Sequence, residues 1–329
     1  MKNLLAALFA MSLAVMAHAQ IFAPYELYGY PPPPATPDGS NFHFTVPPGA
    51  NAVTWAFGHG KCGEEVWFRN FQGAQVAAAN IPLFIASGKK YIVSVGGGNA
   101  PQMVFKCDNQ AGMLKFVQTY YSPNMLGIDF DIEGQNKYTD ADIDALIHQI
   151  QYIQNQTAHP EYNNIRWSFN IGGYFGGGEN NHYNVLGNAI IDRLKHYTIN
   201  NYVIQIQVMD YLNDPSHCIQ KADLSGCQIA LSGIEDIKNV HKFFNIPYSK
   251  IAINPGLGVN DFGYDVFTLE DAAVLAQFAI DYGLAGISPW SISNDQSCAP
   301  AAYNNMTCHG IPGLPNFAFT KTFLTYLPH

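Results

Sequence analysis

The sequence predicts a (β/α)8 barrel, a single α/β domain over residues 20–329 behind a leader over 1–19, and three observations lead there. Short β-type runs recur at intervals of roughly 30–50 residues with helix-like segments between them, as in folds that alternate strand and helix. The composition, 48% hydrophobic and 12% charged, is sufficient to fill one large core. The alternative is a doubly wound open sheet. No G-x-G-x-x-G follows an early strand, and the run Gly96-Gly97-Gly98-Asn99 lacks that spacing.

In chain order, Lys2, the apolar run over 4–17 and the ending Ala17-His18-Ala19 read as a secretory signal cleaved after Ala19. That run is too short to span a bilayer, and no later stretch is long and apolar enough. The mature chain is therefore expected outside the cytoplasm, extracellular or periplasmic. The prolines at 31–34 mark a turn or extended loop. Strands are expected over 21–29, 51–57, 90–96, 125–132, 165–171, 202–209, 250–256 and 284–290. Helical apolar spacing marks 141–155 and 268–282; in the latter Leu269, Ala272, Ala273, Leu275, Ala276 and Ala279 form the buried side.

A net charge of −9 argues against nucleic acid or an anionic membrane surface as partner. Low charge with 13% aromatic residues suits contact with neutral, amphipathic ligands such as sugars. The six cysteines, in an exported chain, imply disulfides. Short loops favour Cys218–Cys227 and Cys298–Cys308, leaving Cys62 with Cys107. There is no C-x-x-C pair, and His217 and His309 lack partners at metal-ligand spacing, so no metal site is expected. The chain is expected to act as a monomer.

The stretch around which the chain is organised is MLGIDFDIEG, residues 125–134. Asp129, Asp131 and Glu133 alternate with Ile128, Phe130 and Ile132, a period of two that puts three acids on one strand face, about 7 Å apart. A solvated strand face has the same pattern. The bulky opposite face, however, is what packs beneath helices, so the acids point into something enclosed. Buried together, at least one should hold a proton near neutral pH, or partners must compensate. A shared proton in an enclosed site is useful chemistry.

This stretch resembles the signature of glycoside hydrolase family 18, D-x-x-D-x-D-x-E. Asp129, Asp131 and Glu133 match its last three acids, and Leu126 stands in place of the first. Ser94-Val95-Gly96-Gly97, one strand earlier, is similar to the family's S-x-G-G. There the resemblance implies that Ser94 hydrogen-bonds toward Asp129. Gln205, Gln207 and Met209 share a face of strand six, which ends Met209-Asp210-Tyr211 and resembles the family's M-D-Y; Gln207 stands where the family has Met. Strand eight ends in Trp290-Ser291 with Asp295 beyond, similar to the family's W-S-x-x-x-D. The stretches 22–25, 256–261 and 308–311 also resemble the bacterial chitinase-D type, so the likeness runs along essentially the whole mature chain.

The resemblance implies hydrolysis of β-1,4-linked N-acetylglucosamine polymers such as chitin, or of their oligomers, without metal or organic cofactor. Glu133 would be the acid and base, Asp131 would orient the substrate acetamido group, and Asp129 and Ser94 would support Asp131. Tyr211 would donate its hydroxyl to the acetamido carbonyl, with Asp210 holding the same group or Tyr211. Trp290 would lie under the sugar, and Gln207 and Met209 would line its site. An endo-β-N-acetylglucosaminidase acting on N-glycans would use the same residues, as would a chitin lectin on the same barrel, though such lectins usually lack the Glu. Loops over 58–70, 172–183 and 213–227 would distinguish the hydrolases.

Overall fold

The computed structural model describes residues 20–27, 43–98, 102–134, 136–173, 185–261, 263, 265–298 and 307–327. The leader, the prolines at 31–34 and most of the 172–183 loop lie outside the described residues.

Parallel strands follow one another around a barrel. The first, β1, has two pieces, Ile21–Phe22 and Tyr25–Leu27; then come β2 (Ala52–Gly58), β3 (Lys90–Gly96), β4 (Met125–Asp131), β5 (Arg166–Gly172), β6 (Tyr202–Val208), β7 (Ile251–Pro255) and β8 (Gly286–Ile287). Each pairs in parallel with its sequence neighbour. The break in β1 is what closes the ring. Its first piece pairs with β8 and its second with β2. Between them lie Ala23 and Pro24, and Pro24, which has no N–H to give a ladder, accepts through its carbonyl from Thr54 N at 2.9 Å. The last strand is shorter than the expected 284–290, although Ser288 N and Trp290 N still donate to β7 carbonyls at 2.8 Å.

Helices return the chain between strands: α1 (Gly73–Ser87), α2 (Gln110–Tyr120), α3 (Asp140–Gln154), α4 (Val185–His196), α5 (Ile229–Phe244), α6 (Leu269–Tyr282) and α7 (Ala318–Tyr326). The helices expected from spacing over 141–155 and 268–282 are α3 and α6. Each begins with a Thr-x-x-Asp capping box, Thr139 with Asp142 and Thr268 with Asp271, which satisfies first-turn N–H groups. On α6 the buried side is Ala272, Leu275, Ala276, Phe278 and Ala279, while Leu269 and Ala273 are half-buried.

The apolar core lies between the helices and the outer face of the barrel. Ile128, Phe130 and Ile132 are buried there, with Phe130 stacked on Trp167 and Phe169. The inner face is polar: Thr54, Ser94, Asp129, Asp131, Ser168, Asn170, Gln205 and Asn254 are all buried. Cys62–Cys107, Cys218–Cys227 and Cys298–Cys308 are bonded, the pairing that loop length favoured. Among the described residues no helix is long and apolar enough to cross a membrane.

Candidate active site

The acids of β4 stand at the C-terminal mouth of the barrel, where strand ends and their loops carry functional groups in this architecture. Register places Ser94 beside Asp129, and both Gly96 and Asn170 beside Asp131. Asp129 lies deepest. Its Oδ2 accepts from Ser94 Oγ at 2.6 Å and from the Tyr25 hydroxyl at 2.8 Å. Gln205 Nε2 in turn donates to the Tyr25 oxygen at 2.6 Å, so the first and sixth strands meet on the fourth strand's acid. Burial pushes the Asp129 carboxyl up to about 6, against the pull of the Ser94 and Tyr25 hydrogen bonds and the nearby Arg166 charge.

Asp131 is the middle of the row. Its Oδ1 accepts from Asn170 Nδ2 at 3.0 Å and from Gln207 Nε2 at 3.2 Å. Gln207 Nε2 also donates to Glu133 Oε1 at 2.8 Å, holding the two carboxyls side by side. Burial, then the charge of Glu133, then that of Asp129, keep the Asp131 carboxyl well above the usual carboxylate range, and it is hydrogen-bonded to Glu133. Of the row, Asp131 is thus the acid whose surroundings most oppose its losing a proton.

The glycines after β3 let backbone pass close to this pair. Gly96 has φ +101, and a Cβ there would lie 2.2 Å from the Asp131 carbonyl oxygen. A Cβ at Gly98 would lie 3.1 Å from Glu133 Oε2. Lys137 Nζ, donating to the Gly98 carbonyl at 2.5 Å, ties this turn to the segment after Glu133.

Trp290 forms an aromatic floor with two residues that sequence reasoning did not find. Phe57 stacks on it at 5.5 Å between ring centroids, and Tyr25 meets it edge-on at 5.9 Å. Beside Trp290 is a recess whose lining includes Met209, Asp210, Gly256, Asn260 and Asp261. The Asp261 carboxyl is raised by desolvation and then by the charge of Glu133.

Two further motif residues have partners on the helices. Tyr211 is 1% exposed and its hydroxyl donates to Asp236 Oδ2 of α5 at 2.8 Å. Asp295 turns to α7, accepting from Phe319 N at 2.9 Å and Thr320 N at 2.7 Å. Among the described residues no cluster of three or more His, Cys, Asp or Glu is arranged to hold a metal ion.

Comparisons with known proteins bear on the fold. No family model matches the sequence. A curated protein described as "Probable bifunctional chitinase/lysozyme", from Escherichia coli K12, is 26% identical over 257 residues, 73% of this chain and 27% of that protein. The chain thus spans about a quarter of that relative's length. The structure superimposes on the catalytic domain of a hyperthermophilic chitinase from Pyrococcus furiosus with a TM-score of 0.67 at 21% identity, covering 94% of this chain and 95% of that one. The chain has the fold of the family 18 chitinases. A family 18 chitinase from Chromobacterium violaceum superimposes as well, with a TM-score of 0.56 at 15% identity over 94% of this chain and 83% of that one.

Within this fold the site also contains groups that the motifs do not mark. Arg166, at the start of β5 and 7% exposed, supplies positive charge toward Asp129, and its own pKa is lowered by burial to about 10. Tyr25 and Asn170 supply the remaining donors to the acid row. Only Gln205, of this inner group, carried a sequence signal: an amide alternating into a barrel interior.

Proposed function

We propose that the protein is an exported glycoside hydrolase that cleaves β-1,4-linked N-acetylglucosamine polymers or oligomers with retention of configuration. The observation that carries this reading is the row Asp129–Asp131–Glu133 at the barrel mouth, with the Gln207 amide donating to both Asp131 and Glu133. A sugar resting on Trp290 would present its glycosidic oxygen to Glu133. The substrate's acetamido oxygen then attacks the anomeric carbon as the glycosidic C–O bond breaks, and the departing oxygen takes the Glu133 proton. Asp131 accepts a hydrogen bond from the acetamido N–H and stabilises the cationic oxazoline-like intermediate. At the same time a second proton, the one Asp131 holds at rest, passes to Asp129, so that one proton leaves with the departing group and one stays in the row. Glu133 then removes a proton from water, which attacks the same carbon, reopens the ring and restores the configuration. Gln207 and Asn170 keep Asp131 and Glu133 aligned throughout, and Asp210 reaches the sugar from the recess.

Three disulfides, together with the leader expected at residues 1–19, support export. The test is product analysis with N-acetylglucosamine tetramer to hexamer, and with peptidoglycan alongside, comparing the native protein with Glu133→Gln. Cleavage by the native protein that vanishes in the variant, with binding retained, is the expected result. Binding without cleavage by either would make the protein a lectin. Cleavage of an N-glycan core but not of the oligomers would redirect the substrate.

A further inference from the structure

The backbone leaving β6 adopts an unusual conformation. Asp210, Leu212 and Asn213 have φ of 53°, 59° and 55°. Left-handed geometry crowds the side chain of any L residue; Asn and Asp tolerate it, and Leu is poorly suited to it. Three such residues within four positions persist only where the surroundings over-determine them, and such strain collects at functional sites. Here it surrounds Asp210, which lines the recess beside Trp290.

The surroundings that impose it come from one hairpin, in which Gly258–Val259 pairs with Val266–Phe267 after β7. Asp265, 3% exposed, accepts from Leu212 N at 2.8 Å through Oδ2, and the Asn213 and Tyr211 N–H groups also face its carboxyl. Asn260, 4% exposed, accepts from Asp210 N at 3.1 Å through Oδ1. The Asn260 side chain is itself fixed, donating to the carbonyls of Gly256 at 3.0 Å and Gly258 at 3.3 Å, while its N–H meets the Asp265 carbonyl at 2.9 Å. The N–H groups of Asp210 and Leu212 therefore each end on a buried side chain of this hairpin. This explains how Leu212 is kept in a conformation that it does not prefer.

We propose that Asp265, with Asn260 as a second anchor, is the positioning residue that keeps Asp210 turned into the recess where substrate binds. The inference rests on the functional reading above. Without the Asp265 carboxylate, φ at 212 and 213 relaxes toward negative values and the peptide carrying Asp210 rotates with it. Asp210 meets the sugar before the reaction as well as during it, so the loss appears in KM.

The experiment measures kcat and KM on an N-acetylglucosamine oligomer for a set of variants. Asp265→Ala is expected to raise KM about 10-fold with kcat within about 3-fold, the size of one lost charge-assisted hydrogen bond. Asp265→Asn keeps an acceptor oxygen for Leu212 N and restores most of the affinity. Asp210→Gly, which accommodates the positive φ and lacks the carboxylate, raises KM similarly, and adding Asp265→Ala to it raises KM no further. If Asp265→Ala does not fold, Asn260→Ser takes its place in the same cycle, since it removes the acceptor for Asp210 N and leaves Asp265 intact. A wild-type KM in these variants, or a double variant whose loss is the product of the two single losses, would overturn the inference alone. A native protein that neither cleaves nor binds the oligomer would overturn the functional reading and this inference with it.

Discussion

Replacing Asp129 by Asn should make the protein more resistant to unfolding above neutral pH while disabling it. Asp129 is fully enclosed, and its pKa rises from the ordinary 3.8 to about 6 on folding. Folding therefore takes up a proton between about pH 4 and pH 6, and the native protein loses stability as pH climbs through that window. A shift of about 2 units corresponds to about 3 kcal/mol of penalty for the buried charge, all of it present above pH 6. Asn has nearly the same shape and no charge. Its oxygen can still accept from Ser94 and Tyr25, while its NH2 group falls where Asp129 Oδ1 now has no hydrogen-bond partner, which costs about 1–3 kcal/mol. At pH 7.5 Asp129→Asn should thus range from neutral to about 2 kcal/mol more stable than wild type, and at pH 4 it should be less stable. The quantity to read is the change in the difference between the two proteins, about 2.5 kcal/mol from pH 4 to pH 7.5. Urea unfolding at the two pH values, with disulfides intact, measures it. Parallel stability curves for the two proteins would refute the idea that a buried, ionised Asp129 is tolerated for the sake of proton movement. Oligomer cleavage should fall by about 100-fold, as expected for removal of one group from a proton relay.

Two further substitutions probe what surrounds the row. Gly96→Ala puts a methyl where the Asp131 carbonyl oxygen stands, at a φ that only glycine adopts easily, and should destabilise by about 3 kcal/mol or more while reducing kcat, read by thermal unfolding and oligomer cleavage. Replacing Cys62 and Cys107 together by Ser opens a loop with a sequence separation of 45 and should cost about 4 kcal/mol if chain entropy dominates, seen as a lower urea midpoint.

Most of the barrel was legible because each strand is short, β-branched and bounded by turn residues, and because α3 and α6 carry apolar residues at helical spacing. The acid row was legible for a similar reason: alternation within a regular strand tells which side chains share a face. Regularity is also where that reading ends. Asp210 has φ +53°, so alternation does not carry past Val208, and the direction of Tyr211 could not be counted off from strand six. Tyr25 looked like any core aromatic in a short strand, because nothing local shows that its hydroxyl meets Asp129, 104 residues away. Arg166 at a strand start looks like a solvated charge until the barrel closes over it. Asp265 belongs to a loop whose partner, the backbone of 210–213, offers N–H groups that no residue type advertises. The chemistry written in residue types was therefore readable, and the scaffolding made of backbone and distant contacts was not.

The split first strand has a consequence for how the molecule is assembled. Residues 21–22 are synthesised early, yet their ladder partners at 286–287 come late. The opening segment must wait, unpaired along one edge, until those partners have been made, and contacts so distant in sequence are slow to form. Tyr25 belongs to the other piece, paired with β2, so its hydrogen bond to Asp129 does not wait for that closure, whereas Trp290, which follows β8, does. A ribosome-bound chain stopped before residue 286 would hold all three acids and still lack the aromatic floor that Trp290 forms with Phe57 and Tyr25.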